Sequence, residues 1–291
     1  DIDPRFAQQP ADRPELLGVE AVERGVTRDV LRFRWKLSAS SIEQDIVFQH
    51  HSPRIDFVTK VDWREKHKLL KAAFPVVVLS GKASYEIPFG TVERATHANT
   101  SWESAQFEVC GHRWADLSEG GYGVALLNDC KYGYDVKGRT LRLSLLRAPT
   151  WPDPGADQGA HEFTYSLVPH EGDWRAAGIV RHGYELNIPV TASIAESHEG
   201  TLPAHHSFIR VEGKHAVLDT VKPAEDGSGL VLRLYESGGG RERIVVRTGD
   251  LPVRSAKETN LLEENPEALP TDGQTLRAEM SPYEVKTIVL D

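Results

Sequence analysis

The chain has 291 residues, 40% of them hydrophobic and 26% charged, enough to bury a sizeable core beneath an ordinary soluble surface. Its net charge of −9 argues against nucleic acid or an anionic membrane as a partner, since both demand basic patches. No apolar run approaches the roughly 20 residues that span a bilayer, and no signal peptide is read from the sequence.

The chain opens at Asp1 with DIDPRF and carries a single methionine, Met280, so it reads as a segment of something longer. Residues 14–33, PELLGVEAVERGVTRDVLRF, predict two strands around a turn at Gly25. In LRFRWKL, Leu31, Phe33, Trp35 and Leu37 face one way and Arg32, Arg34 and Lys36 the other. DIVFQHH repeats that alternation. EKHKLLKAAF (65–74) offers the only plausible helix of length, against Pro75 and β-rich surroundings. Further strands follow in GVALLND, TLRLSLLR, EFTYSLVP, GLVLRLYES and YEVKTIVL, separated by SEGGYG, PTWPDPGADQG, EDGSGL and ESGGGRER. The fold class is all-β, with too many strands for one small sandwich. EGTLPAHHS interrupts the strands, which predicts one domain over 1–205 and a small β-sandwich over 206–291. YEVKTIVL is expected to close that sandwich. Cys110 and Cys130 imply no disulfide framework and read as two buried thiols in a cytoplasmic protein.

Residues 93–135, ERATHANTSWESAQFEVCGHRWADLSEGGYGVALLNDCKYGYD, hold more hydrogen-bonding and stacking groups than a strand requires. Trp and Tyr faces stack on sugar rings, and Asn, Asp, Arg and His bond ring hydroxyls. The segment therefore reads as a carbohydrate-binding surface. Its candidate contacts are Asn99, Trp102, His112, Arg113, Asp116, Asn128, Asp129 and Tyr132. Each has a structural alternative: Asn128-Asp129 as a turn, Trp102 and Trp114 as core residues.

Retaining hydrolysis of a glycoside needs two carboxyl groups about 5–5.5 Å apart. Asp62, Glu65, Glu103, Glu108, Asp116, Asp129, Asp153, Asp157 and Glu162 are available, but spacing pairs no two of them. His50-His51 and His205-His206 invite a metal reading. Neighbours on a strand point to opposite faces, however, and no His-x-His or Cys-x-x-Cys spacing occurs. No metal site is expected within the chain.

THANTSWESAQFEV, HRWADLSEGGYGVALLNDCKYGYDV, LSLLRAP and HEFTYSLVPHEGDW resemble the carboxy-terminal β region of family 38 α-mannosidases, in the cytosolic and bacterial branch. VDWREKHKLLKAAFPV, LRLYESGG and SPYEVKTIVL extend the similarity in collinear order, and DIDPRF resembles the tail of a family-typical stretch. The resemblance implies a large β-supersandwich, galactose-mutarotase-like, followed by a small β-sandwich. It also implies a retaining enzyme that removes α-linked mannose from oligosaccharides. The family's Asp nucleophile and its zinc lie in an amino-terminal catalytic domain, and no motif here matches either. The segment is thus expected to carry no catalytic residue, to be inactive alone and to complete the active-site wall. Arg147, in LRLSLLRAP, falls where Golgi and lysosomal members carry an Arg that lines the rim, although it could equally cap a strand edge. The expected partners are a mannose-containing oligosaccharide and the chain's own amino-terminal catalytic domain, with a homo-oligomer left open. Two alternatives remain: a stand-alone carbohydrate-binding module, and a mutarotase-like epimerase using His161 and Glu162.

Overall fold

Period-two patterning becomes strands that each commit one face to a core. The computed structural model describes residues 9, 12–201 and 203–291; DIDPRF lies outside them. The chain forms two compact units, Asp1–Ile87 with Val92–Val190, and Pro88–Thr91 with Thr191–Asp291.

The first unit runs β1 (Glu15–Arg24), β2 (Arg28–Leu37), β3 (Ser40–Gln49), β4 (Ile55–Trp63), β5 (Leu70–Pro75), β6 (Lys82–Ile87), β7 (Gly90–Ala95), α1 (Ser101–Ala105), β8 (Val109–Cys110), β9 (Trp114–Ser118), β10 (Tyr122–Asn128), β11 (Gly133–Lys137), β12 (Thr140–Leu146), β13 (Gly159–Glu171) and α2 (Ile179–Asn187). Nine strands pair in the order β1-β2-β3-β4-β13-β10-β9-β6-β7, and four in the order β5-β12-β11-β8. The two sheets share one core, in which Trp63, Leu117, Leu126 and Phe163 of the larger meet Tyr134, Leu141 and Leu143 of the smaller. This is the β-sandwich architecture expected from the sequence.

The one segment expected to offer a helix, 65–74, forms a loop leading into β5. Leu70, Ala72 and Phe74 turn towards the core, and pairing with β12 satisfies the backbone. A helix forms instead at α2, which covers the outer face of the larger sheet. Ile179 packs there with Trp114, Ala125, Leu127, Val168 and Trp174. Strand β10 is consequently buried on both faces, and its VALL run is apolar rather than alternating.

The second unit contains β14 (Arg210–Glu212), β15 (Ala216–Pro223), β16 (Leu230–Glu236), β17 (Glu242–Arg247), β18 (Ala256–Thr259), β19 (Glu267–Ala268), β20 (Thr275–Met280) and β21 (Val285–Leu290). Sheets β14-β17-β20 and β15-β16-β21-β18-β19 enclose a core of Leu232, Leu234, Ile244, Val246, Leu276 and Ile288. The terminal strand β21 lies inside its sheet, between β16 and β18, rather than at an edge. The glycine run after β16 wraps a buried carboxylate. Glu236 accepts the N–H groups of Gly238, Gly239, Gly240 and Tyr283 at 2.8–3.1 Å.

Candidate functional site

Strand β10 ends at Asn128, and the next four residues turn the chain into β11. Asn128, fully buried, spends its side chain on that turn. Its amide donates to the His112 carbonyl at 2.8 Å and to the Tyr134 hydroxyl at 2.5 Å, and its Oδ1 accepts the Lys131 N–H at 2.7 Å. Asp129 ties the turn to β13. Its Oδ2 accepts the Thr164 N–H at 2.8 Å, and its own N–H donates to the Thr164 carbonyl at 3.1 Å. The turn reading of this dipeptide is the one realised. Asn128 is therefore corrected from an expected sugar contact to a buried support of the turn.

The approach to β9 is held as firmly. Glu86, buried at the end of β6, accepts the Arg113 N–H at 2.7 Å and two guanidinium bonds, from Nη2 at 2.7 Å and from Nε at 3.0 Å. The guanidinium also lies 3.8 Å from the centroid of the Tyr184 ring on α2. Burial works against the charge on Arg113, but Glu86 and Tyr184 outweigh it and raise its pKa. Outside this pair, His112 stacks on Tyr132 with centroids 5.3 Å apart and planes 30° apart. Tyr132 is 47% exposed. The two rings form an aromatic plate facing solvent, braced from behind by Glu86, Arg113 and Asn128.

Arg147 follows β12. Its N–H and that of Ala148 both donate to Oδ2 of Asp157 at 2.9 Å. Burial would raise the Asp157 pKa, but the two N–H groups and the charges of His161 and Lys131 lower it. Lys131, from the turn after β10, thus lies close enough to act on the Arg147 loop, and its ammonium sits 4.7 Å from the Phe163 centroid. The Arg147 side chain is exposed and makes no hydrogen bond or ion pair among the described residues.

Three expected contacts fall elsewhere. Asp116 is 1% exposed. Its Oδ2 lies 2.7 Å from His170 Nε2, and its Oδ1 accepts the Ser118 hydroxyl. It is corrected from a surface sugar contact to a buried partner of His170, because β9 turns it beneath the cleft of about 590 Å³ that His170, Tyr122 and His182 line. Asn99 and Trp102 sit at the far end of β11 from Tyr132, beside its turn into β12, where Lys137 Nζ donates to the Gln106 carbonyl and Gly138 N–H to Thr96. Trp102 is 83% exposed there, whereas Trp114 is core.

His161 and Glu162 diverge. His161 Nε2 lies 2.8 Å from the Asp157 carbonyl oxygen, whereas Glu162 pairs with Lys60 at 3.8 Å on the other face of the sheet. Such a pair cannot converge on one anomeric carbon. His50 is engaged by Val26 and Asp29, and His206 packs edge-on against Phe208. Among the described residues, no group of three His, Cys, Asp or Glu side chains could hold a metal ion. Both cysteines, expected to be buried, are exposed. Cys130 lies in the turn after β10, and Cys110 ends the edge strand β8.

Residues 1–155 match the model of the glycosyl hydrolases family 38 C-terminal domain, and residues 215–288 that of the family 38 C-terminal beta sandwich domain. The chain is 41% identical over 274 residues to alpha-mannosidase G of Dictyostelium discoideum, covering 91% of this chain and 25% of that protein. It is 46% identical over 257 residues to alpha-mannosidase 2C1 of Homo sapiens, covering 86% and 24%. The chain therefore spans about a quarter of the length of the curated relatives it matches. In fold it is similar to an alpha-mannosidase from Enterococcus faecalis V583, with a TM-score of 0.81 at 19% identity over 96% of this chain and 35% of that one. The chain belongs to glycosyl hydrolase family 38, as its C-terminal β region.

Proposed function

We propose that this chain is the C-terminal β region of a cytoplasmic, retaining α-mannosidase that removes α-linked mannose from oligosaccharides. In this reading the nucleophile and a zinc ion belong to an amino-terminal catalytic domain, and this region supplies part of the active-site wall. The observation that carries the reading is the identity of 41–46% to proteins named alpha-mannosidases across 86–91% of this chain.

The geometry supports a division of labour along the wall. The exposed Arg147 guanidinium offers a permanently charged planar fork for hydroxyl or carboxylate pairs. His112 and Tyr132 offer a stacking plate for a sugar face. Arg113, Asp129 and Asn128 position that plate. Asn99 and Trp102 form a second exposed surface, suited to a more distant sugar or to the catalytic domain. The divergence of His161 and Glu162 removes support from an epimerase.

The test is Arg147→Ala in the complete polypeptide, assayed on an aryl α-mannoside. We expect kcat/KM to fall about tenfold to a hundredfold, some 1.4–2.8 kcal/mol, with unchanged thermal unfolding. An unchanged kcat/KM would remove Arg147 from the wall.

A further inference from the structure

Strands β1–β4 make one flank of the nine-stranded sheet, and its two faces differ sharply. On one, Arg34 of β2 bridges Glu20 of β1 at 3.2 Å and Glu43 of β3 at 3.1 Å, and Arg32 pairs with Asp45 at 2.6 Å. That face satisfies its own charges. The other is largely apolar, with the cross-strand neighbours Leu16–Trp35, Val19–Phe33, Leu31–Ile46 and Ile46–Phe57 running from β1 inward, and with one polar pair, Gln44–Thr59, that is hydrogen-bonded internally.

The apolar face is a continuation of the unit's core. At its inner end Phe57 stacks on Tyr165 at 5.0 Å and packs on Phe74 of β5 at 5.4 Å. Since β5 is the edge of the four-stranded sheet, that cover ends there. Further out, Leu16, Val19 and Phe48 are 47%, 52% and 38% exposed. Strand β1 is also the free edge of the larger sheet, ten residues long. Its two register shifts, between Leu16 and Gly18 and between Ala21 and Glu23, turn out Leu17 and Val22 as well. A long edge strand with aliphatic side chains on an open face is a site made for covering.

We propose that this apolar face and the β1 edge are the docking surface for the catalytic half of the same polypeptide. The proposal rests on the reading above. Two observations select that occupant. Both family matches are to C-terminal domains and the relatives are about four times longer, so most of such a polypeptide precedes the matched region and would reach it at β1. The opposite face is already paired within itself, which leaves the apolar face as the one whose burial would be favourable.

The test places single cysteines in the complete polypeptide: Val19→Cys, Leu16→Cys and Phe48→Cys on the apolar face, and Lys60→Cys on the charged one. Maleimide labelling is followed peptide by peptide, with the exposed Cys110 and Cys130 mapped separately. Labelling at positions 16, 19 and 48 should be at least about tenfold slower than at position 60 in the native protein, and equal to it after denaturation. Comparable native rates in a long, active mannosidase would overturn the docking surface and leave the functional reading standing. Protection accompanied by a native mass of twice the polypeptide would assign the face to a second copy and also overturn the proposal. A native polypeptide no longer than this chain would sink both.

Discussion

Replacing Gly123 with Ala tests how the buried Asp116–His170 pair is built. Gly123 lies opposite His170 across β10 and β13, and opposite Ser118 across β10 and β9. The His170 ring therefore crosses β10 over a residue without a side chain to reach Asp116 at 2.7 Å. An added Cβ would sit 2.7 Å from both His170 Nε2 and Ser118 Oγ, so the ring must move by about 1 Å to restore ordinary contact. Breaking a buried charged pair by displacing one partner costs about 3–5 kcal/mol. The lower figure applies, because the His170 ring is displaced rather than removed. Gly123 has no positive φ, so Ala gains about 0.5–1 kcal/mol of backbone entropy, and the net loss is about 2 kcal/mol. The assay is denaturant unfolding below pH 6.5, where the raised His170 pKa keeps the ring charged, followed by tryptophan fluorescence. All six tryptophans (35, 63, 102, 114, 151 and 174) lie in the first unit, so the signal reports that unit alone. With His170→Ala already present the clash with the ring is gone and only the contact with Ser118 Oγ remains, so Gly123→Ala should cost clearly less than in the parent. A cost below about 0.5 kcal/mol in the parent, or an equal cost in both backgrounds, would refute the reasoning.

The same pair predicts a pH dependence. Burial lowers the His170 pKa, but Asp116, the Glu171 carbonyl and Asp173 overcome that and raise it above the ordinary 6.5. A raised folded-state value means the stabilisation is fully present below 6.5 and is lost as pH rises through the folded value. His182, its own pKa lowered by burial, works in the opposite sense, so the readout is the difference between parent and His170→Gln. The parent's extra stability should shrink on raising the pH above 6.5, and a difference that grew instead would reverse the assignment. Cys130, although exposed, has its thiol pushed up to about 11 by partial burial of the sulfur and by Asp129. Alkylation at neutral pH should therefore be slow and should quicken in Asp129→Asn, as timed mass spectrometry would show. A rate unaffected by Asp129→Asn would remove Asp129 as the cause.

The strands were legible because alternation such as Leu31, Phe33, Trp35 and Leu37 survives wherever one face is buried. Helix α2 was not, because Gly178 and Gly183 depress its apparent helix propensity. Gly183 is needed for close approach, since a Cβ there would meet Trp114 Cδ1 at 3.1 Å. Helix α1 left a readable trace in Thr100-x-x-Glu103, whose reciprocal capping bonds both form. At the candidate site, the Asn128-Asp129 turn could be read from residue type. The brace behind His112 and Tyr132 could not, because Glu86 and Arg113 stand 27 positions apart and meet only through the sheet. Burial likewise separated the polar cluster at 93–135 into residues that face solvent, such as Tyr132, a residue that supports them, Asn128, and one buried elsewhere against His170, Asp116.

The central claim, that this chain is the β region of a larger mannosidase, is tested most directly by the intact mass and activity of the native polypeptide purified from cells that express it. The account predicts a mass about four times the 32.3 kDa of this chain, tryptic peptides that precede Asp1, and release of mannose from an α-mannoside. A native mass near 32.3 kDa without such hydrolysis would contradict it.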